Sequence, residues 1–200
     1  MKKTFCVLLA ALVAVAISAA PVAAQGIQID ANGGVYVLGG DDFDGADAGF
    51  GGEVGVIYNF PSGFGLGVAG RRSTHNVDDP TGTGLLDTSF EIIGFLGVIR
   101  YEFPGQSSVT PYVEGRAGLS DVTVEVSSGG VSAESGATGF EGAGVVGLGI
   151  PVGSKVSVDL SANFSYLDLG AFELGGLSIP DTESTGSLIG FRAGFSIATN

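Results

Sequence analysis

Cysteine is almost absent from this chain of 200 residues, and the one present, Cys6, lies in a segment that we expect to be removed. Two lysines precede an apolar stretch over 5–20, which is shorter than a typical membrane span. The small residues 22–24 fit the pattern at which signal peptidase cuts. The sequence therefore predicts a signal peptide over 1–24 and a mature domain over 25–200 without a thiol, which excludes disulfide and thiolate chemistry.

Lysine and arginine are scarce in the predicted mature domain, which keeps six of them against 21 acidic residues and has a net charge of −15. An acidic surface repels phosphates, so we expect no nucleic acid among the partners. A phosphate-binding glycine motif and a His/Cys cluster with metal-ligand spacing are also missing. We therefore expect no cofactor.

Long apolar runs are missing after residue 24, since no later stretch reaches the ~18 apolar residues of a membrane helix. Apolar residues at helical spacing are missing too, and 36 glycines disfavour helices. The length suits one domain. These absences exclude a helical membrane protein.

The chain does contain segments in which apolar and polar residues alternate, a hydrophobic period of two. Between Val156 and Tyr166 every second residue is apolar and the others are Ser, Asp or Asn, which is the pattern of a strand with one apolar face. Most such segments have the ~9–11 residues that a tilted strand needs to cross a bilayer. The pattern predicts eight strands, at 27–38, 50–60, 64–74, 90–103, 110–124, 140–150, 156–166 and 187–197.

The connections between these strands alternate in length. Short periplasmic turns and long external loops are typical of outer-membrane barrels. The sequence therefore predicts an all-β, eight-stranded, antiparallel, up-and-down transmembrane β-barrel. A soluble barrel is the alternative, but the second face consists of Gly, Ser, Asn and charged residues and cannot fill a dry core. The predicted short turns are 61–63, 104–109 and 151–155, and the predicted long loops are 39–49, 75–89, 125–139 and 168–186.

Aromatic residues cluster near the ends of the predicted strands, as in the two aromatic girdles of a membrane barrel. The group beside the short turns consists of Tyr58, Phe60, Phe64, Tyr101 and Phe103. The group at the opposite strand ends consists of Phe50, Phe90, Phe140, Phe164 and Tyr166.

The stretch Arg100-Tyr101-Glu102-Phe103, followed by a short turn and Pro111-Tyr112-Val113, resembles the small outer-membrane β-barrel families. These are the OmpA-type transmembrane domain and the opacity-type surface antigens, often labelled porin-family proteins. The resemblance implies a monomer in the bacterial outer membrane, with membrane lipid, lipopolysaccharide and the barrel-assembly machinery as partners.

Charged residues occupy the face that we expect to line the lumen. Buried charges persist only when they are paired and hydrogen-bonded, and eight strands leave room for little more than side chains. We therefore predict an ion-paired plug, with a switching gate as the alternative. Turn geometry places Glu53 opposite Arg71, and Arg100 opposite Glu114. The predicted network is Asp30, Glu53, Arg71, Arg100, Glu114, Arg116, Glu141, Asp159 and Arg192.

Two other features of the sequence are candidates for functional sites. His75 lies at the mouth of the second long loop without a matching nucleophile and acid, so we expect a solvated loop histidine, no catalytic residues and no enzyme. A cluster of carboxylates in the first long loop is a candidate for a weak divalent-cation site, although a solvated acidic loop is the default. Its residues are Asp41, Asp42, Asp44 and Asp47.

The four long loops contain 13 acidic residues and no lysine or arginine. Because loop tips usually carry function in such scaffolds, we predict a structural or surface-interaction role through acidic external loops, with an unknown ligand. A narrow or gated small-solute channel and a lipid-modifying outer-membrane enzyme are the alternatives.

Overall fold

The computed structural model describes residues 26–40, 43, 45–77, 87–103, 109–128, 131–171, 173–174, 177–178 and 184–199. The predicted signal peptide lies outside them. No helix within these ranges is long and apolar enough to cross a membrane. The strands are β1 (Gly26–Gly39), β2 (Gly49–Asn59), β3 (Phe64–Val77), β4 (Asp87–Glu102), β5 (Thr110–Ser128), β6 (Val131–Pro151), β7 (Val156–Leu169), β8 (Glu173–Leu174), β9 (Leu177–Ser178) and β10 (Ser184–Thr199).

The eight long strands close into an antiparallel barrel. Each pairs with its neighbour in the chain, and β1 pairs with β10 from Ile27↔Thr199 to Gly39↔Ser187. The short β8 and β9 form a small hairpin against β6. The predicted eight-stranded up-and-down barrel is therefore confirmed.

The barrel wall is apolar outside and polar inside. Large side chains such as Val54, Phe95 and Phe191 point outward and are 58%, 66% and 64% exposed. A surface of this kind is stable only when lipid covers it. The alternative of a soluble barrel is wrong.

One end of the barrel carries the short turns and the other the long connections; we call them the turn end and the loop end. Aromatic rings pack around the turn end, with centroids 4.8 Å apart for Phe64 and Tyr101 and 5.0 Å apart for Tyr101 and Phe103. Phe50 and Phe140 point outward toward the loop end. Phe90, predicted to join them, instead faces the lumen, 5.5 Å from the ring of Phe43.

The apolar exterior ends before the strands do. The outward positions that follow it toward the loop end are Arg72, Glu91, Asp121 and Thr138, on β3 to β6. An ion pair of 2.6 Å joins Arg72 to Glu91, and the hydroxyl of Thr138 donates to Asp121. These polar contacts place the edge of the lipid-covered band at this level.

Beyond this band, β5 and β6 continue as a protruding hairpin. They have 19 and 21 residues, about twice the length needed to cross a bilayer, and pair as far as Ser128↔Val131. The prediction of a polar loop over 125–139 is therefore wrong. Polar composition does not distinguish a solvated strand from a loop, whereas the β-branched residues over 122–126 favour a strand.

Candidate functional site

The lumen holds all nine charged residues that the strand periodicity assigned to it. None is more than 8% exposed. Their contacts divide them into a chain of six, a separate pair, and Asp159. The chain and the pair each contain as many positive as negative residues. Among these nine residues, only Asp159 therefore adds net charge.

The chain of six alternates in sign and crosses the lumen. Its N–O distances lie between 2.5 and 2.7 Å. Glu114 and Glu53 each bridge two guanidinium groups, so breaking one contact leaves the carboxylate with another partner. The order of the chain is Asp30, Arg100, Glu114, Arg116, Glu53, Arg192.

The separate pair joins β3 to β6 across the lumen. Arg71 donates two hydrogen bonds to Glu141, of 2.7 and 2.9 Å, in the bidentate geometry that makes such pairs strong. Ser120 also donates to Glu141. The predicted register Glu53↔Arg71 is confirmed, but Arg71 forms its ion pair with Glu141, because its side chain is long enough to span a narrow barrel.

The second predicted register places Arg100 opposite Glu114, and here the neighbours also form the ion pair. Arg100 lies over the ring of Tyr112, with its Cζ atom 4.4 Å from the centroid. The hydroxyl of Tyr112 donates to Asp159 at 2.9 Å, and Asp159 forms no ion pair with any described residue. Tyr112 therefore links the chain of six to the last lumen carboxylate.

An apolar cluster closes the loop end of the lumen. The expectation that the inner face consists of Gly, Ser, Asn and charged residues is wrong here, because the predicted strands also place large apolar side chains such as Leu38, Ile92 and Leu188 on that face. Phe43 folds in from the connection between β1 and β2, and a Cβ atom on Gly186 would lie 2.5 Å from its ring. The buried members are Tyr36, Leu38, Phe43, Ile92, Val122, Ala137, Leu167, Leu169 and Leu188.

His75 is 1% exposed, so the prediction of a solvated loop histidine is wrong. It lies on β3, which continues to Val77, and faces the lumen. Its Nε2 atom is 3.3 Å from the hydroxyl of Ser73, and its Nδ1 atom is 3.3 Å from the carbonyl oxygen of Asp47. A hydrolytic triad needs a carboxylate at the second nitrogen, where a backbone carbonyl stands.

The candidate cation loop remains a prediction. Asp41, Asp42 and Asp44 lie outside the described residues, and Asp47 is anchored by its backbone N–H, which donates to Asn76 at 2.8 Å. No group of three or more potential ligands occurs in the part of the chain that the structure describes.

Comparisons with known proteins agree with this geometry. The model of the outer membrane protein beta-barrel domain matches residues 7–196. Neisserial surface protein A is 19% identical, with a TM-score of 0.63 over 88% of this chain and 99% of its own. A major outer membrane protein from Thermus thermophilus is 13% identical, with a TM-score of 0.57 over 86% of this chain and 99% of its own.

The attachment invasion locus protein Ail of Yersinia pestis is 16% identical, with a TM-score of 0.52 over 86% of this chain and 99% of its own. No curated protein matches the chain by sequence. At these identities the solved structures show a shared fold. The family match, which covers most of the chain, shows that this protein is a bacterial outer-membrane barrel of the outer membrane protein beta-barrel domain family.

Proposed function

We propose that this protein is a monomeric, non-conducting and non-enzymatic barrel that displays an acidic surface to partners outside the cell. The observation that carries the proposal is the protruding β5–β6 hairpin. From Asp121 to Ser128 it extends past the polar edge of the lipid-covered band by seven residues, or about 23 Å at ~3.3 Å per residue. Such a hairpin is longer than membrane anchoring requires.

The charge of this surface indicates the chemistry of the partner. Glu125 and Glu134 lie directly opposite each other on β5 and β6, and both are exposed. Like charges in this position destabilise a hairpin, so they do not serve its stability. Together with acidic loops that contain no lysine or arginine, they favour a cationic partner.

This charge contrasts with a ligand known for a protein of the same fold. Ail of Yersinia pestis was crystallised with the heparin analogue sucrose octasulfate. A polysulfate would be repelled by the acidic loops of the present chain. We therefore propose a cationic matrix or cell-surface protein as the partner, rather than a sulfated glycan.

The proposed orientation places the loop end outside the cell and the turn end in the periplasm. Since the predicted mature domain has no cysteine, single cysteines can report on it. Ser128→Cys should react with a membrane-impermeant maleimide on intact cells, whereas Ser62→Cys should react only after the outer membrane is permeabilised. Labelling of Ser62→Cys on intact cells would show that the orientation is reversed.

The filled lumen supports the absence of conduction, because the chain of six and the apolar cluster both obstruct it. A deletion strain complemented with the full-length protein should gain adhesion to a polylysine-coated surface, and lose it at high salt, without gaining permeability to small antibiotics. Planar bilayers containing the purified protein should show no conductance steps. Permeability without adhesion would favour the channel, and a change in lipid A mass would favour the enzyme.

A variant with a shortened hairpin tests whether the hairpin is the surface that mediates adhesion. Val122 lies directly opposite Ala137, so Asn-Gly can replace 123–136 and close the strands with a tight turn. This variant should insert normally and lose most of the adhesion. Glu102→Gln, at the turn end, is the matched control and should adhere like the unaltered protein. Equal adhesion by the shortened variant would exclude the hairpin as the interaction surface.

A further inference from the structure

Unpartnered polar atoms gather on one part of the lumen wall. Eight buried side-chain nitrogen or oxygen atoms have no hydrogen-bond partner among the described residues, and Ser184 contributes only one of them. The remaining seven are Asn32 Oδ1, Tyr36 Oη, Arg71 Nε, Ser161 Oγ, Asn163 Oδ1, Arg192 Nε and Arg192 Nη2. Since buried polar groups are nearly always bonded, this concentration calls for a physical explanation.

Strand register places most of these atoms around Arg192. Ser161 on β7 lies directly opposite Arg192 on β10, and Asn163 lies two residues further along β7. On β1, Gly34 lies opposite Arg192, with Asn32 and Tyr36 two residues to either side. Residues at these diagonal positions are within reach of one another on a shared face. We call this set, consisting of Asn32, Tyr36, Ser161, Asn163 and Arg192, the Arg192 wall.

Glycines make room for the Arg192 wall. A Cβ atom at Gly190 would overlap Asn163 Oδ1, and one at Gly194 would overlap Asn32 Oδ1. A Cβ atom at Gly34 would come within 3.0 Å of the Cγ atom of Arg192. The three glycines therefore provide the space that these polar side chains occupy.

One edge of the Arg192 guanidinium has no hydrogen-bond partner among the described residues. Its Nη1 atom contacts Glu53 Oε1 at 2.7 Å, and the side chain is 1% exposed. The Nε and Nη2 atoms, which form the opposite fork, are unpartnered among the described residues. Two parallel N–H groups in this geometry match the two oxygens of a carboxylate.

We propose that the Arg192 wall binds a small monocarboxylate that carries a neighbouring hydroxyl or ammonium group. The two N–H groups of the Arg192 fork would donate to the two oxygens of the carboxylate. The amide oxygens of Asn32 and Asn163 would accept from the hydroxyl or ammonium group. The proposal goes beyond surface interaction, because it assigns a ligand to the lumen.

Neighbouring charges set the selectivity of this site. Glu53 contacts the far side of the Arg192 guanidinium, and Asp159 lies on β7 two residues before Ser161. Both carboxylates repel an anion, and they repel a divalent anion about twice as strongly as a monovalent one. We therefore expect the site to accept lactate and to reject sulfate.

The test is a titration of the full-length barrel, folded in an uncharged detergent, with lactate, acetate or sulfate. Arginine Nε–H resonances are followed by nitrogen-15 NMR, and affinities are measured by calorimetry. Lactate should shift the Arg192 resonance saturably, acetate should bind more weakly, and sulfate should not compete. Arg192→Lys keeps the charge but loses the fork, so it should weaken lactate binding at least about tenfold.

Two further variants provide the control for this test and a substitute for Arg192→Lys. Arg72→Lys, on the outer surface, should bind lactate normally. If Arg192→Lys does not fold, Asn163→Ala serves in its place and should weaken lactate binding several-fold. Absence of a saturable shift with lactate in the unaltered protein would overturn the proposal and identify the wall as hydrated only. Equal binding of sulfate and lactate would overturn the assigned ligand class.

Discussion

Replacing Arg71 with alanine should lower the free energy of unfolding of the barrel by about 3–5 kcal/mol. The loss arises because Glu141, 0% exposed in its side chain, would remain buried without its bidentate partner. The double variant Arg71→Ala/Glu141→Ala should be less destabilised than the sum of the two single changes, since no lone charge remains. Reversible urea unfolding from lipid vesicles measures all three.

Arg72 supplies a matched control on the same strand. It also forms an ion pair, with Glu91, but its side chain is 68% exposed. Because water already solvates both groups, Arg72→Ala should cost no more than about 1 kcal/mol. Strict additivity of the Arg71 and Glu141 changes would show that the two residues do not interact.

An arginine at the middle of the lipid-facing wall should have an effect of similar size. Val146 points outward from β6 and is 60% exposed, so Val146→Arg should lower the free energy of unfolding by about 2–4 kcal/mol. The cause is the transfer of a guanidinium group into the hydrocarbon layer. Val146→Leu, which keeps the site apolar, should leave stability nearly unchanged.

An arginine introduced further along β6 distinguishes the effect of depth in the membrane from the effect of side-chain exposure alone. Thr138 shares the outward face of β6 but lies at the polar edge, where its hydroxyl bonds to Asp121. Thr138→Arg should cost about 0–1 kcal/mol, because the guanidinium group reaches water and a carboxylate there. Equal costs at Val146 and Thr138 would contradict the assigned position of the lipid-covered band.

Local patterns predicted the parts of this fold that depend on local geometry. The period of two assigns each side chain to a face, and a tight turn sets the register of the strands that it joins. Both registers derived from the short turns, Glu53↔Arg71 and Arg100↔Glu114, are therefore correct. The nine lumen charges follow from the same periodicity.

Contacts across the lumen could not be predicted in this way. The pairing of Arg71 with Glu141 depends on the curvature of the closed barrel, which brings β3 within reach of β6. Part of the apolar cluster depends on how far the strands continue past the membrane, and polar composition conceals this. Ala137 and Leu169 become part of the interior only when β6 and β7 are extended to their full length.

The seam between the first and last strands has a kinetic consequence. The hydroxyl of Thr199 bonds to the carbonyl oxygen of Ile27, 172 positions away in the chain, and β10 pairs with β1 from Ser187 to Thr199. Contacts of such high contact order form late, because the loop-closure entropy must be overcome first. Until β10 arrives, β1 presents an unpaired edge on which strands of other molecules can add. The time between emergence of β1 and delivery of β10 therefore defines the period in which this chain is most prone to aggregation.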